Sequence, residues 1–219
     1  LKKLGSKKVK KEGNLKFSNY NILKTRKLSS KTHKFLISKN ILFGGISTHP
    51  QEEIYCAKIH KELTSRVRNS LTIIIPRHVH RAKEIKKEIS NLKLKAHLHS
   101  SKNKISKDTE IYIVDTFGDT QIFIEYCKIV LLGGSLIPHG GQNPLEAARL
   151  GCKVLHGPNI NNFTEVYRTL NKYKIAFRVK KKRDAIFQIY SAINNKNKKN
   201  DKIKKLNLIG KNILEKNLK

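Results

Sequence analysis

Between Gly133 and Glu146 the chain reads GGSLIPHGGQNPLE, residue types suited to holding a phosphorylated ligand. The stretch follows the apolar run Ile129-Val130-Leu131-Leu132, which reads as a buried strand, and ends where a helix should begin. A glycine-rich strand-to-helix turn lets the backbone approach a phosphate closely, and the helix start offers unpaired N–H groups and a positive dipole end. Asn143 suits an N-cap, Pro144 the first helical position and Glu146 the third. The Asn143–Glu146 pair has two readings. It can be a capping box, or Glu146 can accept both hydroxyls of a ribose. The same oxygens cannot do both at once, and the glycines ahead favour the ligand. This is where a nucleotide is expected to bind.

Other candidates fall after apolar runs. Gly44-Gly45-Ile46-Ser47-Thr48-His49 offers glycines and two hydroxyls for an anion-facing turn, or an ordinary loop capping the next helix through Ser47 or Thr48. Pro76-Arg77-His78 presents a planar guanidinium that fits a phosphate or stacks on a base, or is a solvated cation; His80 and Arg81 stand beside it. In Asp115-Thr116-Phe117-Gly118-Asp119, Gly118 lets backbone amides face a ligand and Asp119 suits a first helical turn, while Asp115 or Thr116 could equally cap it. His78 has no Cys or carboxylate at ligand spacing, so no metal site is expected.

The elements that must position these residues alternate. Strands are expected at residues 41–43, 71–75, 92–96, 111–114, 129–132, 153–155 and 175–179. Helices are expected at 52–67, 79–90, 119–127, 143–150, 163–170 and 184–193. Short apolar runs alternating with helices predict an α/β fold: right-handed βαβ units and a Rossmann-like parallel sheet with helices on both faces. Ligands in such sheets bind at the carboxyl ends of strands, where every candidate above falls. The organisation expected is a basic segment over 1–38, a nucleotide-binding domain over 39–193, and a Lys/Asn-rich tail over 194–219. Leu206, Ile209, Ile213 and Leu214 give that tail a weak helical stripe.

Composition narrows the class. The chain has 219 residues, enough for one sizeable core, and no apolar run long enough to span a membrane. It contains no Met, which reads as a fragment, a mature form or a trimmed reading frame. Three scattered cysteines, Cys56, Cys127 and Cys152, argue against a disulfide scaffold and read as buried thiols. The net charge of +31 calls for anionic partners or reflects a compositional bias towards Lys. A nucleic-acid-binding module is the alternative of a different class. Only 7% of residues are aromatic, Trp is absent, and no recognition signature appears, so no specific nucleic acid is expected.

Taken in order, these motifs resemble the 3-deoxy-D-manno-octulosonic acid (Kdo) transferase family. The resemblance is carried by Gly13-Asn14-Leu15-Lys16-Phe17, Ser47-Thr48-His49 with Glu52-Glu53, Pro76-Arg77-His78 and Asp115-Thr116-x-Gly118. It continues through Gly133-Gly134-Ser135, Gly140-Gly141-x-Asn143-Pro144-Leu145-Glu146, and Gly157-Pro158 with Asn162-Phe163. It spans about residues 1–170.

The resemblance implies an inverting glycosyltransferase of the two-domain GT-B arrangement, of which this chain looks like the donor-binding C-terminal half. Such an enzyme moves Kdo from CMP-Kdo to the lipid A precursor at the cytoplasmic face of the bacterial inner membrane, without metal or cofactor. By position, Pro76, Arg77, Phe117, Gly118, Asp119, Asn143, Pro144, Leu145 and Glu146 would hold CMP, and Lys16 would stabilise the transition state. Ser47, Thr48, His78, Gly134 and Ser135 are further candidates for donor contact. The general base would be a Glu of the N-terminal domain, absent from this chain, so the isolated chain is expected to bind CMP or CMP-Kdo weakly and not to turn over. The implied partners are the donor, the lipid acceptor, the anionic membrane surface and an N-terminal GT-B domain. Departures are Asp119 where the family usually has Glu, Gln142 where it often has His, and Pro50-Gln51 where it often has Glu-Gly. A GT-B enzyme using another nucleotide sugar, such as a UDP-sugar, is the nearer alternative.

Overall fold

Ile73, Ile74 and Ile75 show why this chain builds a sheet buried on both sides. Successive strand residues point to opposite faces, and here both faces are apolar: Ile73 and Ile75 join one core cluster and Ile74 the other. The computed structural model describes residues 27–194, 203–204, 206–208 and 211. It comprises α1 (Ser30–Ile37), β1 (Asn40–Thr48), α2 (Glu52–Leu63), β2 (Ser70–Pro76), α3 (Ala82–Asn91), β3 (Ala96–Leu98), β4 (Ile111–Ile113) and α4 (Thr120–Ile124). These are followed by β5 (Ile129–Leu132), α5 (Leu145–Arg149), β6 (Lys153–His156), α6 (Thr164–Lys172), β7 (Ala176–Arg178) and α7 (Lys182–Asn194). All seven strands are parallel in the order β3-β4-β2-β1-β5-β6-β7. The order reverses between β1 and β5, and this is the topological switch point at which such sheets bind ligands.

Helices cover both faces, as expected. On one side α1, α4, α5 and α6 contribute Leu36, Phe123, Leu145 and Tyr167 to the core. On the other, α2, α3 and α7 contribute Ile59, Ile85 and Ile189. In α3, Ala82, Ile85 and Ile89 recur at helical spacing and are buried, while Lys, Glu, Ser and Asn occupy the remaining positions.

Three expectations shift. The third strand lies at Ala96–Leu98 rather than 92–96, because α3 runs to Asn91 and Lys93 turns the chain with φ 61 before pairing begins at Ala96↔Ile111. Gly44 and Gly45 sit inside β1, not in an anion-facing turn. A Cβ there would stand 3.0 Å from Cys127 Sγ or 2.9 Å from Cys56 Sγ, so the glycines admit a buried thiol on each face. Finally, α1 falls within the stretch read as a basic segment. Ser29 caps it by accepting from the Thr32 N–H, and Leu36 is fully buried, a burial that contributes about 2 kcal/mol. Leu206 of the tail is also buried against this core, whereas Ile209, Ile213 and Leu214 of the same stripe lie outside the described residues.

Candidate functional site

The loops after β1 and β5 meet at the switch point so closely that glycine is required. A Cβ on Gly133 would lie 2.0 Å from the Ser47 carbonyl oxygen, and one on Gly157 would lie 2.2 Å from that of Ser135. Either contact is far inside van der Waals range, so these glycines fix how the loops nest.

Glu52 holds this arrangement. It opens α2, is 2% exposed, and its carboxylate accepts three backbone N–H groups. Oε2 takes those of His49 at 3.0 Å and Gly134 at 2.7 Å, and Oε1 takes that of Leu136 at 3.0 Å. The first of these closes the turn that enters α2, alongside the Glu52 N–H donating to the His49 carbonyl at 3.0 Å. The other two staple the glycine-rich loop to α2. Two of the amides expected to face a phosphate are thereby committed to a carboxylate.

Ser135 is fully buried. Its hydroxyl donates to the Leu132 carbonyl and accepts from the Gly157 N–H. Thr48 is likewise fully buried. Ser47 is partly exposed at φ 52, with its carbonyl packed on Gly133. Of the further candidates for donor contact, only His78 is exposed; Ser47, Thr48, Gly134 and Ser135 build the loop.

Around this frame the expected binding residues line the carboxyl edge of the sheet. Pro76 ends β2, and Arg77 anchors its own N–H on the Thr48 carbonyl at 2.9 Å, leaving an exposed guanidinium. After β4, Asp115 accepts from the Ser100 N–H and hydroxyl, tying the β3 loop to this edge, so it does not cap α4. Thr116 donates to Asp119 Oδ2 at 2.5 Å. Gly118 has φ +85, open space around it, and Phe117 beside it is 79% exposed.

The helix after the glycine-rich loop begins one turn position later than the spacing predicts. Leu145 is its first residue and Pro144 the cap position; Asn143 Oδ1 accepts from the Leu145 N–H at 3.1 Å. The expected capping box between Asn143 and Glu146 does not form. Among the described residues the Glu146 carboxylate accepts no hydrogen bond, and partial burial pushes its pKa up. Lys16 lies outside the described residues.

The structure also brings together residues that the sequence keeps apart. The His49 ring lies 4.1 Å from His139 and 5.9 Å from His78, and His80 lies 5.7 Å from His78, all between centroids. Burial, then the neighbouring His139 and His78, push the His49 pKa down to about 4. Gln142 Nε2 donates to His49 Nε2 at 3.3 Å, so the neutral ring carries its proton on Nδ1. Arg81 pairs at 3.0 Å with buried Glu53, whose pKa burial raises. Among the described residues, no three His, Cys, Asp or Glu side chains converge as a metal centre would need. None of their helices is long and apolar enough to cross a membrane. Beyond Asp119 a cavity of about 1020 Å³ opens towards α1, lined by Lys27, Lys31, Phe35, His99 and Lys104 among others.

Comparison with known proteins places this geometry. No family model matches the chain. The 3-deoxy-D-manno-octulosonic acid transferase of Rickettsia prowazekii is 32% identical over 190 residues, covering 84% of this chain and 40% of that protein. Its counterpart in Haemophilus influenzae is 27% identical over 192 residues, covering 87% of this chain and 45% of that protein. The chain thus spans about two fifths of the length of the curated relatives it matches. Among solved structures, the C-terminal CMP-Kdo binding domain of WaaA from Acinetobacter baumannii superposes with a TM-score of 0.71. At 22% identity it covers 84% of this chain and 93% of that domain, a likeness of fold. The Rossmann-like parallel sheet has the fold of that domain, and the family resemblance drawn from the ordered motifs is borne out.

Proposed function

The chain is a homologue of the 3-deoxy-D-manno-octulosonic acid transferases over most of its length, and we propose that it forms their donor-binding half, holding CMP-Kdo. The observation that carries this reading is the convergence of the motif loops on the β1/β5 switch point and the strand ends beside it. Arg77 and the Asn143–Glu146 turn there flank a loop whose shape is fixed by Gly133 and Glu52.

In this reading the exposed Arg77 guanidinium meets the phosphate, with Pro76 setting its position at the end of β2. Phe117, Gly118 and Asp119 meet the base side of the nucleotide: Phe117 is exposed for stacking, and Gly118 leaves room for a ligand against the backbone. Asn143, Pro144 and Leu145 shape the turn that presents Glu146. Its carboxylate, free of any capping bond, accepts the ribose hydroxyls.

The reaction is a displacement. An acceptor hydroxyl oxygen bonds to the anomeric carbon of Kdo, the bond from that carbon to the phosphate oxygen breaks, and CMP leaves with the electron pair. Negative charge grows on phosphate oxygens as that bond breaks, so a cation held at the phosphate stabilises the transition state more than the ground state. Arg77 supplies one such cation, and Lys16 is proposed as a second. The hydroxyl proton goes to a base that the N-terminal GT-B domain contributes, along with recognition of the lipid A precursor. No resident cofactor is called for. The +31 charge suits a peripheral position on an anionic inner-membrane surface, where each nearby Lys or Arg contributes about 1 kcal/mol.

Calorimetry with CMP and UDP tests the reading. CMP binding that exceeds UDP binding, and that weakens at least fivefold in Arg77→Ala, supports it. Preference for UDP would reassign the donor, and no heat with either nucleotide would refute a nucleotide site.

A further inference from the structure

The donor named above carries two anionic groups on one carbon. The anomeric carbon of Kdo bears the phosphate ester and also the carboxylate that makes the sugar an acid. A site for it needs two adjacent anion receptors. Of the loop amides, those of His49, Gly134 and Leu136 are not available, because they already donate to Glu52. Side chains must supply what the backbone does not.

At the switch point those side chains are imidazoles. His49 follows β1, His78 follows β2, and His139 stands in the loop between β5 and α5, with His49 in ring contact with both others. His78 and His139 are exposed, and His49 is 5% exposed at the base of the group. The charged groups around them come from two stretches of chain. Arg77 and Arg81 lie beyond β2, and Glu52 and Glu53 lie on α2. Both carboxylates are committed, Glu52 to amides and Glu53 to Arg81. Gln142 occupies His49 Nε2 and leaves Nδ1–H as its free donor. Each neutral ring thus brings one N–H donor to the cluster, and both neighbouring carboxylates are already engaged. Burial, with His139 and His78 alongside, disfavours protonation of His49, and an anion placed among the rings offsets that.

We propose that His49, His78 and His139 form the receptor for the carboxylate on the anomeric carbon of the donor sugar, leaving its phosphate to Arg77. The proposal rests on the donor reading above and deepens it. It identifies what distinguishes a 2-ulosonate donor from a nucleotide sugar with an uncharged ring. An uncharged ring would desolvate these donors without pairing them, a penalty that a site built for hydrogen bonds uses to reject the wrong ligand.

Calorimetry with CMP and with freshly prepared CMP-Kdo separates the two claims, using the 219-residue chain, His139→Ala, His139→Gln and the double variant His78→Ala/His139→Ala. Thermal melting checks that each variant is folded. The expected result is that wild-type chain prefers CMP-Kdo over CMP at least tenfold. His139→Ala should cut that preference to threefold or less, the double variant should abolish it, and His139→Gln, which keeps a donor, should recover part. In His139→Ala, affinity for CMP itself should move less than about twofold. An equal loss for both ligands would assign the imidazoles to the phosphate and overturn the proposal. CMP binding with no preference for CMP-Kdo, or a preference that the histidine variants leave intact, would also overturn it while the donor reading stands. Failure of the wild-type chain to bind either ligand would defeat both.

Discussion

Glu52→Gln is the sharpest probe of how the ligand loop is built. The two side chains have the same shape, but the amide has one acceptor oxygen where the carboxylate has two. In the wild-type protein Oε2 takes the His49 and Gly134 N–H groups and Oε1 takes that of Leu136. If the amide oxygen replaces Oε2, the NH2 group faces the Leu136 N–H, donor against donor, in a site where Glu52 is only 2% exposed. A hydrogen bond to a charged group contributes about 1.5–3 kcal/mol, and an unsatisfied buried donor costs about 1–3 kcal/mol. One lost bond and two weakened ones give a destabilisation of about 2–3 kcal/mol. Glu52→Ala frees all three donors and should cost more, about 4 kcal/mol, less whatever water entering the space recovers. Urea unfolding measures the loss, and amide hydrogen exchange locates it. Protection should fall at Gly134 and Leu136 while the centres of β1 and β2 keep theirs. If Glu52→Gln is within 0.5 kcal/mol of wild type on the ~1 kcal/mol scale of one such bond, and exchange at both amides is unchanged, the carboxylate is not what holds the loop.

Two further predictions concern stability. Gln51 precedes α2 at φ 77, a left-handed conformation that costs a residue with a side chain about 1–2 kcal/mol. Gln51→Gly should raise the unfolding free energy by roughly 0.5–1 kcal/mol after the extra chain entropy of glycine is subtracted; a loss of stability in urea titrations would contradict this. His60 is fully buried, accepts or donates at Thr72 Oγ1 over 2.9 Å, and burial pushes its pKa from 6.5 down to about 4. The folded state therefore holds the neutral ring. The stability tied to it is complete above pH 6.5 and is lost as pH falls from 6.5 towards 4. It amounts to at most about 3 kcal/mol. The stability gap between wild type and His60→Gln should narrow by about 2 kcal/mol between pH 7 and pH 4.5; an unchanged gap would show that the ring titrates freely.

Much of the scaffold could be read from local pattern, and the misreadings have a common cause. The run Ile129–Leu132 was legible to the residue because an apolar strand buried on both faces stands out from its polar flanks. Leu92 and Leu94 read as strand because they alternate. Only the structure shows that Leu92 caps α3 in a turn and that Leu94 packs in the core just before β3 begins. Gly44 and Gly45 carried the ordinary signal of a turn. Their actual role, admitting Cys127 and Cys56, depends on helices that arrive from elsewhere in the chain. Glu52 could be recognised as a helix start, yet its other partners lie 82 and 84 residues away. His49, His78 and His139 form a group only after β1, β2 and β5 are laid side by side, and no spacing rule reports that. Arg77 and Asn143–Glu146 could be picked out as candidates because one follows a strand and the other leads into a helix. The missing capping bond of Glu146 could not, since it depends on where the helix begins.

The central claim is that a cytidylate lies across the carboxyl edge of the sheet between Arg77 and Glu146. A titration of the labelled chain with CMP, followed by backbone amide shifts, tests it most directly. The account predicts saturable changes confined to Arg77–His78, Phe117–Asp119 and Asn143–Glu146, reduced at least fivefold in affinity by Glu146→Ala. Changes centred instead on the opposite edge, around Lys39, Lys95 and Lys107, or no saturable change at all, would contradict it.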